Sequence, residues 1–318
     1  MLGQQRLLQQ VRLAVNFMKK IYSIFLTLLC TLISCSNNAK ILYRLNEDGT
    51  YTVLSISAKY ESDVVIPEKY KGVSVTEFGG DFSVVSYTDN KIRSISIPGS
   101  IKYVRGGLLM GNKTLKKVKL GDGVENIGEY SFSGCSNLAK INLPNSLKTI
   151  GAHSLASTDI TEIKIPKKLT EIGTGAFSAC DKITNIEIHS ENESFYLDDG
   201  LLYDVTSNSL YSIPASKTGI IKINDNCKEF RVNNLFINAK SLEFSKETRV
   251  IPEHFCNSYS LESIVLYNSL RKIEEHAFGE TITIKYIYFY GTEAEWNSIK
   301  IEKWNSVIEN AKVVYMNN

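Results

Sequence analysis

Apolar residues along most of the chain fall into one repeating frame. Read from Ile160, they stand at Ile160, Ile163, Ile165, Leu169, Ile172 and Phe177. The frame recurs from Leu115 (Val118, Leu120, Val124, Ile127, Phe132), from Leu138 (Ile141, Leu143, Leu147, Ile150, Leu155) and from Leu261 (Ile264, Leu266, Leu270, Ile273, Phe278). Starts at 115, 138, 160 and 183 are spaced 23, 22 and 23 residues apart. A period in this window, with Leu and Ile at fixed offsets, predicts a solenoid of stacked turns. Ile163-Lys164-Ile165 alternates in, out, in, as a strand does. Pro166 cannot donate to a ladder and ends that strand. Leu169 and Ile172 point back inside, Gly173 permits the next bend, and Ala176 with Phe177 closes the far wall. One turn cannot cover its own apolar face, so only the array is stable.

Weaker copies extend the array on both sides. Val64-Val65-Ile66-Pro67 with Phe78-Gly79 makes a first rung, and Ile92, Ile95, Ile97 and Pro98 make a second. The frame breaks at about 189–219, where Leu201-Leu202-Tyr203 and Leu210-Tyr211-Ser212-Ile213 flank the polar turn Thr206-Ser207-Asn208, a hairpin signal. It resumes with Ile221, Ile223, Cys227 and Phe230, then with Leu242, Phe244, Val250 and Phe255, giving about nine rungs over 61–290. Both ends carry covers. Ile41–Leu45 and Tyr51–Ser57 flank Asn46-Glu47-Asp48-Gly49 as a hairpin within 35–60. In 291–318, Thr292 to Glu295 reads as a capping box opening a short helix that carries Trp296.

The outward strand positions offer two surfaces. Rung by rung they are Ser94/Ser96, Lys117/Lys119, Lys140/Asn142, Glu162/Lys164, Asn185/Glu187, Lys222/Asn224, Glu243/Ser245, Ser263/Val265 and Tyr286/Tyr288. Lys117, Lys140 and Glu162 are expected in one column, with Lys119, Asn142 and Lys164 in the next. Lys117, Lys119, Lys140 and Lys164 would form a basic patch suited to an anionic partner. Val265, Tyr286 and Tyr288 would form an apolar, aromatic patch of the type found at interfaces. Ordinary solvated polar positions account for the rungs between.

The first 34 residues read as an address. Met18-Lys19-Lys20 followed by the apolar run Ile21 to Ile33 has the layout of an export signal, and is shorter than the ~20 residues of a spanning helix. Leu32-Ile33-Ser34-Cys35 resembles a bacterial lipobox, in which the Cys, here Cys35, is lipidated and becomes the new N-terminus. An ordinary signal peptide with a chance Cys is the alternative. Ser36-Asn37-Asn38 would then be a tether. Residues 1–17 precede a complete signal, so they read as an upstream start chosen in error, or else as an amphipathic extension. Export would leave the protein lipid-anchored to the bacterial envelope, at the outer membrane and facing the cell surface. The formal charge of +2 changes meaning once this leader is gone: the leader holds four of the 36 basic residues and no acid, so 32 remain against 34 acidic ones. Such a balance gives no electrostatic reason to expect nucleic acid.

Candidate chemistry is sparse. Cys135 and Cys180 stand three residues after a wall Phe, two rungs apart, which is roughly 10 Å and beyond disulfide reach. They read as buried thiols, as does Cys227; Cys256 is out of phase with them. His153 and His276 share a repeat phase several rungs apart, and no HExxH or CxxC spacing occurs, so no metal site is expected. Asp198-Asp199 lacks further ligands at Ca²⁺-loop spacing. Nucleophile elbows, P-loops and GxGxxG runs are missing, so neither a catalytic site nor a cofactor is expected.

Five further segments stand out: Leu143-Pro144-Asn145-Ser146-Leu147-Lys148-Thr149-Ile150-Gly151, Ile172-Gly173-Thr174-Gly175-Ala176-Phe177-Ser178-Ala179-Cys180, Asp199-Gly200-Leu201-Leu202-Tyr203, Asp63-Val64-Val65-Ile66-Pro67 and Tyr290-Gly291-Thr292-Glu293-Ala294-Glu295-Trp296. Together they resemble the BspA-like leucine-rich-repeat family of bacterial surface proteins. The resemblance spans Leu45 to Val314 and implies an α/β-type leucine-rich-repeat solenoid, mainly β, with an irregular or short-helical outer wall and a cap at each end. It implies a non-enzymatic protein- or glycan-binding module of the cell envelope, with adhesion among the roles known for the family. A structural scaffold of the envelope is the alternative.

Overall fold

A computed structural model of the protein describes residues 39–79, 91–107, 109–279 and 281–316, and the backbone of 32–35. The extension 1–17, the leader up to residue 31 and the tether 36–38 lie outside the described residues. The chain winds into a β-solenoid of about eleven turns with very little helix, two turns more than the repeat frame suggested.

Each turn lays a strand on a front face. Ser62–Val65, Ile92–Ile97, Lys117–Leu120 and Lys140–Ile141 form one parallel ladder, and Glu162–Ile165 pairs with Asn185–Ile188. Ile220–Lys222, Ser241–Glu243, Ser263–Tyr267, Tyr286–Tyr290 and Lys312–Met316 form the next. Side ladders follow the turns after the front strands on either side of the insertion: Val73–Phe78, Tyr103–Val104, Asn126–Ile127, Thr149–Ile150 and Glu171–Ile172, then Val250–Ile251, Lys272–Ile273 and Lys300–Ile301. Alternation works as the frame requires: Ile163 and Ile165 are buried and Lys164 is exposed.

The interior packs side chains within each turn and between successive turns. Phe244, Phe255, Phe278 and Phe289 are fully buried, and Phe244 meets Phe255 and Phe278 at ring-centroid distances of 5.3 and 6.3 Å. Two apolar cores meet at the insertion. Leu202 belongs to the core that starts at Ala39, while its neighbours Leu201 and Tyr203 belong to the core that ends at Ile308. Period-2 geometry explains this, because adjacent residues of one strand face opposite ways. The insertion is a three-stranded antiparallel meander, Phe195–Asp198, Leu201–Asp204 and Leu210–Ser212, one strand more than the expected hairpin. The outer wall does not break there. Gly175 N–H donates to the Arg231 carbonyl at 3.0 Å, and Ala179 N–H to that of Asn234 at 3.1 Å.

Both ends are covered. Ala39–Leu45 and Tyr51–Ala58 form an antiparallel hairpin that pairs onto Val73–Phe78, with Tyr43, Tyr51 and Tyr70 packed ring on ring. At the other end Thr292 and Glu295 make the reciprocal capping box of the helix Glu293–Asn297. This cap is itself a further turn: Lys300–Ile301 extends the side ladder and Lys312–Met316 the front one. The sequence frame missed it because its strands lie 28 and 26 residues after their partners Lys272 and Tyr286, outside the 22–23 period.

Candidate binding surface

The basic end of the front face is built by the ladder register. Ser94, Lys117 and Lys140 are successive Cα partners, so two lysines stand directly opposite each other. Lys119 lies beside Ser96 one position on. Lys117, Lys119 and Lys140 are exposed. Lys164 is not an uncompensated cation: its ammonium lies 3.0 Å from both Glu162 and Glu187, and these bonds raise its pKa. The columns also stop short of the expected length, since the hydrogen-bonded ladder ends at Lys140–Ile141 and Glu162 pairs with Asn185 instead. Asn142 explains part of this. Its side-chain amide accepts from Leu120 N–H and donates to Leu120 C=O, both at 2.8 Å, taking the place of a strand residue's backbone.

The opposite end of the front face is aromatic. Tyr286, Tyr288 and Tyr290 alternate outward from one strand, with Ile287 and Phe289 buried between them. Val265, Tyr288 and Val314 form one register column, and Tyr267, Tyr290 and Met316 the next. Tyr286 and Tyr288 stack at 6.3 Å, and Tyr267 and Tyr290 at 5.0 Å. Tyr286 is 42% exposed, and Tyr288 and Val265 are half-buried. The Tyr267 hydroxyl donates to Glu243 Oε1 at 2.8 Å; burial first, and that carboxylate second, push its pKa up. Tyr267 and Tyr290 were not singled out from the sequence, although Tyr-Ile-Tyr-Phe-Tyr over 286–290 carries the alternation that would have found Tyr290. Ser245, expected to face outward, is buried: its hydroxyl donates to the Asp225 carbonyl and accepts from Glu247 N–H. A short turn residue that caps its own backbone turns inward even where the strand phase points out.

The other candidate groups are structural where they are described. Cys135, Cys180, Cys227 and Cys256 are buried free thiols. Burial pushes Cys135, Cys227 and Cys256 up to about 12, and Cys180 upward as well. Cys135 Sγ donates to the Leu109 carbonyl at 2.9 Å. Three of the four histidines belong to wall columns: His153 stacks on Tyr130 at 5.2 Å, and His276 lies between His254 at 5.3 Å and Trp304 at 5.4 Å. Among the described residues no three His, Cys, Asp or Glu side chains converge on a metal-sized site. Cys35 ends the strand Leu32–Cys35, which pairs antiparallel with Ala39–Leu45. Cleavage before Cys35 would remove three of that strand's four residues.

The repeat frame has a counterpart among known sequences. The BspA type leucine rich repeat region matches residues 82–199 and 204–305, in six copies. The chain belongs to this family. The gap in the BspA-type match, residues 200–203, falls in the insertion, at Gly200 and the first three residues of the middle strand Leu201–Asp204. Among solved structures, a leucine-rich repeat protein from Eubacterium ventriosum is 18% identical, with 90% of this chain and 78% of that one covered at a TM-score of 0.58. The pneumococcal vaccine antigen PcpA is also 18% identical, covering 91% of this chain and 88% of its own at 0.53. At this identity the likeness is one of fold. Comparison with curated proteins finds no match.

Proposed function

We propose that the protein is an exported envelope lipoprotein, anchored through Cys35, that works as a binding module without chemistry of its own. Its partner is a protein, engaged by the tyrosine face of Val265, Tyr286 and Tyr288 with Tyr267 and Tyr290 beside them. The observation that carries this reading is the row of outward tyrosines on a single strand, flanked by valines in register. Tyrosine supplies large contact area at small entropic cost, and the stacked pairs are already ordered. Membership in a repeat family of interaction modules supports a non-enzymatic role. The lipobox-like Leu32-Ile33-Ser34-Cys35 supports envelope attachment, and the fold shared with a vaccine antigen fits display at the cell surface.

A comparative pull-down tests the proposal. The mature chain is offered soluble host matrix proteins in one arm and detergent-extracted envelope proteins of its own cell in the other. Capture of a matrix protein that is lost in Tyr286→Ala/Tyr288→Ala supports the binding module. Capture restricted to the cell's own envelope proteins would favour the scaffold reading.

A further inference from the structure

We infer that a second site, a cleft lined by Lys246, Glu247, Arg249, Ser269 and Arg271, takes an acidic polysaccharide. The inference rests on the binding-module reading but not on the identity of the protein partner. The cleft has a volume of about 410 Å³, within the ~300–1,000 Å³ of small-ligand clefts. It opens at the turn between the front and side ladders, next to the tyrosine face.

The repeat brings its cations together. Arg271 N–H donates to the Arg249 carbonyl at 2.8 Å, so the two arginines occupy adjacent turns at one register position. The Arg271 guanidinium is fixed by the carbonyls of Asn268 and Leu270. Lys246 Nζ lies over the Tyr267 ring, 5.8 Å from its centroid. Neighbouring columns neutralise their cations: Lys240 and Lys285 share Glu262, Lys222 faces Glu243 and Asp225, and Lys272 faces Glu274 and Glu302. Among the described residues, Lys246, Arg249 and Arg271 stand within ion-pair distance of no carboxylate. Glu295 feels Arg271 electrostatically, yet its oxygens are engaged by Thr292 and Asn268. Glu247 lines the cleft, so three positive groups face one negative one.

The lining also decides the class of ligand. All five lining residues end in charged or hydroxyl groups, and none is an aliphatic or aromatic residue of the kind that receives a peptide's anchor. Planar guanidinium groups suit sulfate or carboxylate oxygens. Ser269 Oγ donates to the Thr248 carbonyl at 3.0 Å and keeps its lone pairs for a sugar hydroxyl, as does the Glu247 carboxylate. Alternating acidic groups and hydroxyls describe an acidic polysaccharide.

The test compares immobilised heparin oligosaccharide, neutral dextran and poly-L-glutamate as probes for the mature chain. Heparin is expected to bind, dextran not, and poly-L-glutamate at least about tenfold more weakly than heparin. Binding should fall as salt rises from 50 to 500 mM, because exposed charges are screened within ~8 Å at physiological strength. Lys246→Ala/Arg249→Ala, which touches no backbone anchor, should weaken heparin about tenfold or more with Tm unchanged, and Arg249→Glu should abolish it. Lys117→Ala/Lys119→Ala/Lys140→Ala and Tyr286→Ala/Tyr288→Ala should leave heparin binding intact. Heparin affinity unchanged in Arg249→Glu would overturn the proposal, and so would poly-L-glutamate binding as tightly as heparin. Loss of the protein partner in the tyrosine variant with heparin retained separates the two sites.

Discussion

Gly175 carries no side chain because the His153 imidazole lies against it. A Cβ there would sit 2.5 Å from His153 Cε1 and 2.8 Å from Ser178 Oγ, and the backbone has φ +66°. The same residue donates to Arg231 and so joins the wall across the insertion. Gly175→Ala is therefore expected to destabilise the protein by about 1–2 kcal/mol from the left-handed backbone alone. Urea melts would read this. Adding His153→Ala should relieve the ring contact and recover only part of the loss, since the strained backbone remains.

The buried thiols make an alkaline prediction with a definite sign. Cys135, Cys227 and Cys256 hold their protons up to about 12 when folded, against an ordinary 9.0. Their pKa values are raised in the fold, so their contribution is fully present below pH 9 and is lost as pH climbs toward 12. Each thiol removes up to about 1.4 kcal/mol per pH unit within that window. Tm should fall steeply between pH 9 and 11 and be flatter in a Cys227→Ala/Cys256→Ala variant. At pH 7.5 an alkylating reagent should label none of the four until urea unfolds the chain.

Lys117 and Lys140 oppose each other directly in a parallel ladder, and like charges so placed repel. Lys140→Glu should raise Tm by about one or two degrees at low salt, with the gain vanishing in 0.5 M salt. A marked loss of stability would mean that Lys140 packs inward. Reversing Lys117, Lys119 and Lys140 together should leave the fold intact, as surface changes do.

The stacked fold was legible because inward Leu and Ile recur at fixed offsets, and a strand that alternates can face its apolar side only one way. Phe132 and Phe177 in equivalent wall positions, and Thr292 three residues before Glu295, gave wall and cap alike. What stayed hidden lay off the period. The last turn carries Lys300 and Lys312 28 and 26 residues after their partners, so repeat spacing passes over it. Asn142 stands in for backbone, and Ser245 caps its own turn; neither substitution of side chain for main chain leaves a hydropathy signal. The basic cleft was missed for a related reason. Lys246, Arg249 and Arg271 lie in turns rather than at outward strand positions, and only stacking makes Arg249 and Arg271 neighbours.

Membrane attachment is tested at Cys35. After cleavage a lipid would be the strong hydrophobic anchor left, so Cys35→Ala should move the protein from the membrane to the soluble fraction. Persistence in membranes after a carbonate wash would contradict lipidation. Mass spectrometry of the mature chain reports the same point: an acylated N-terminal Cys35 requires that Leu32–Ser34 have left the strand that pairs with Ala39–Leu45.

The binding role of the tyrosine face comes down to one titration. A partner captured by the mature chain is measured against wild type and Tyr286→Ala/Tyr288→Ala by surface-based kinetics, with Tm recorded for both. Removing two contact aromatics from the centre of an interface is expected to weaken affinity by about 30-fold or more, chiefly through faster dissociation, while Tm changes little. Unchanged affinity in a folded double variant would contradict a tyrosine-centred interface.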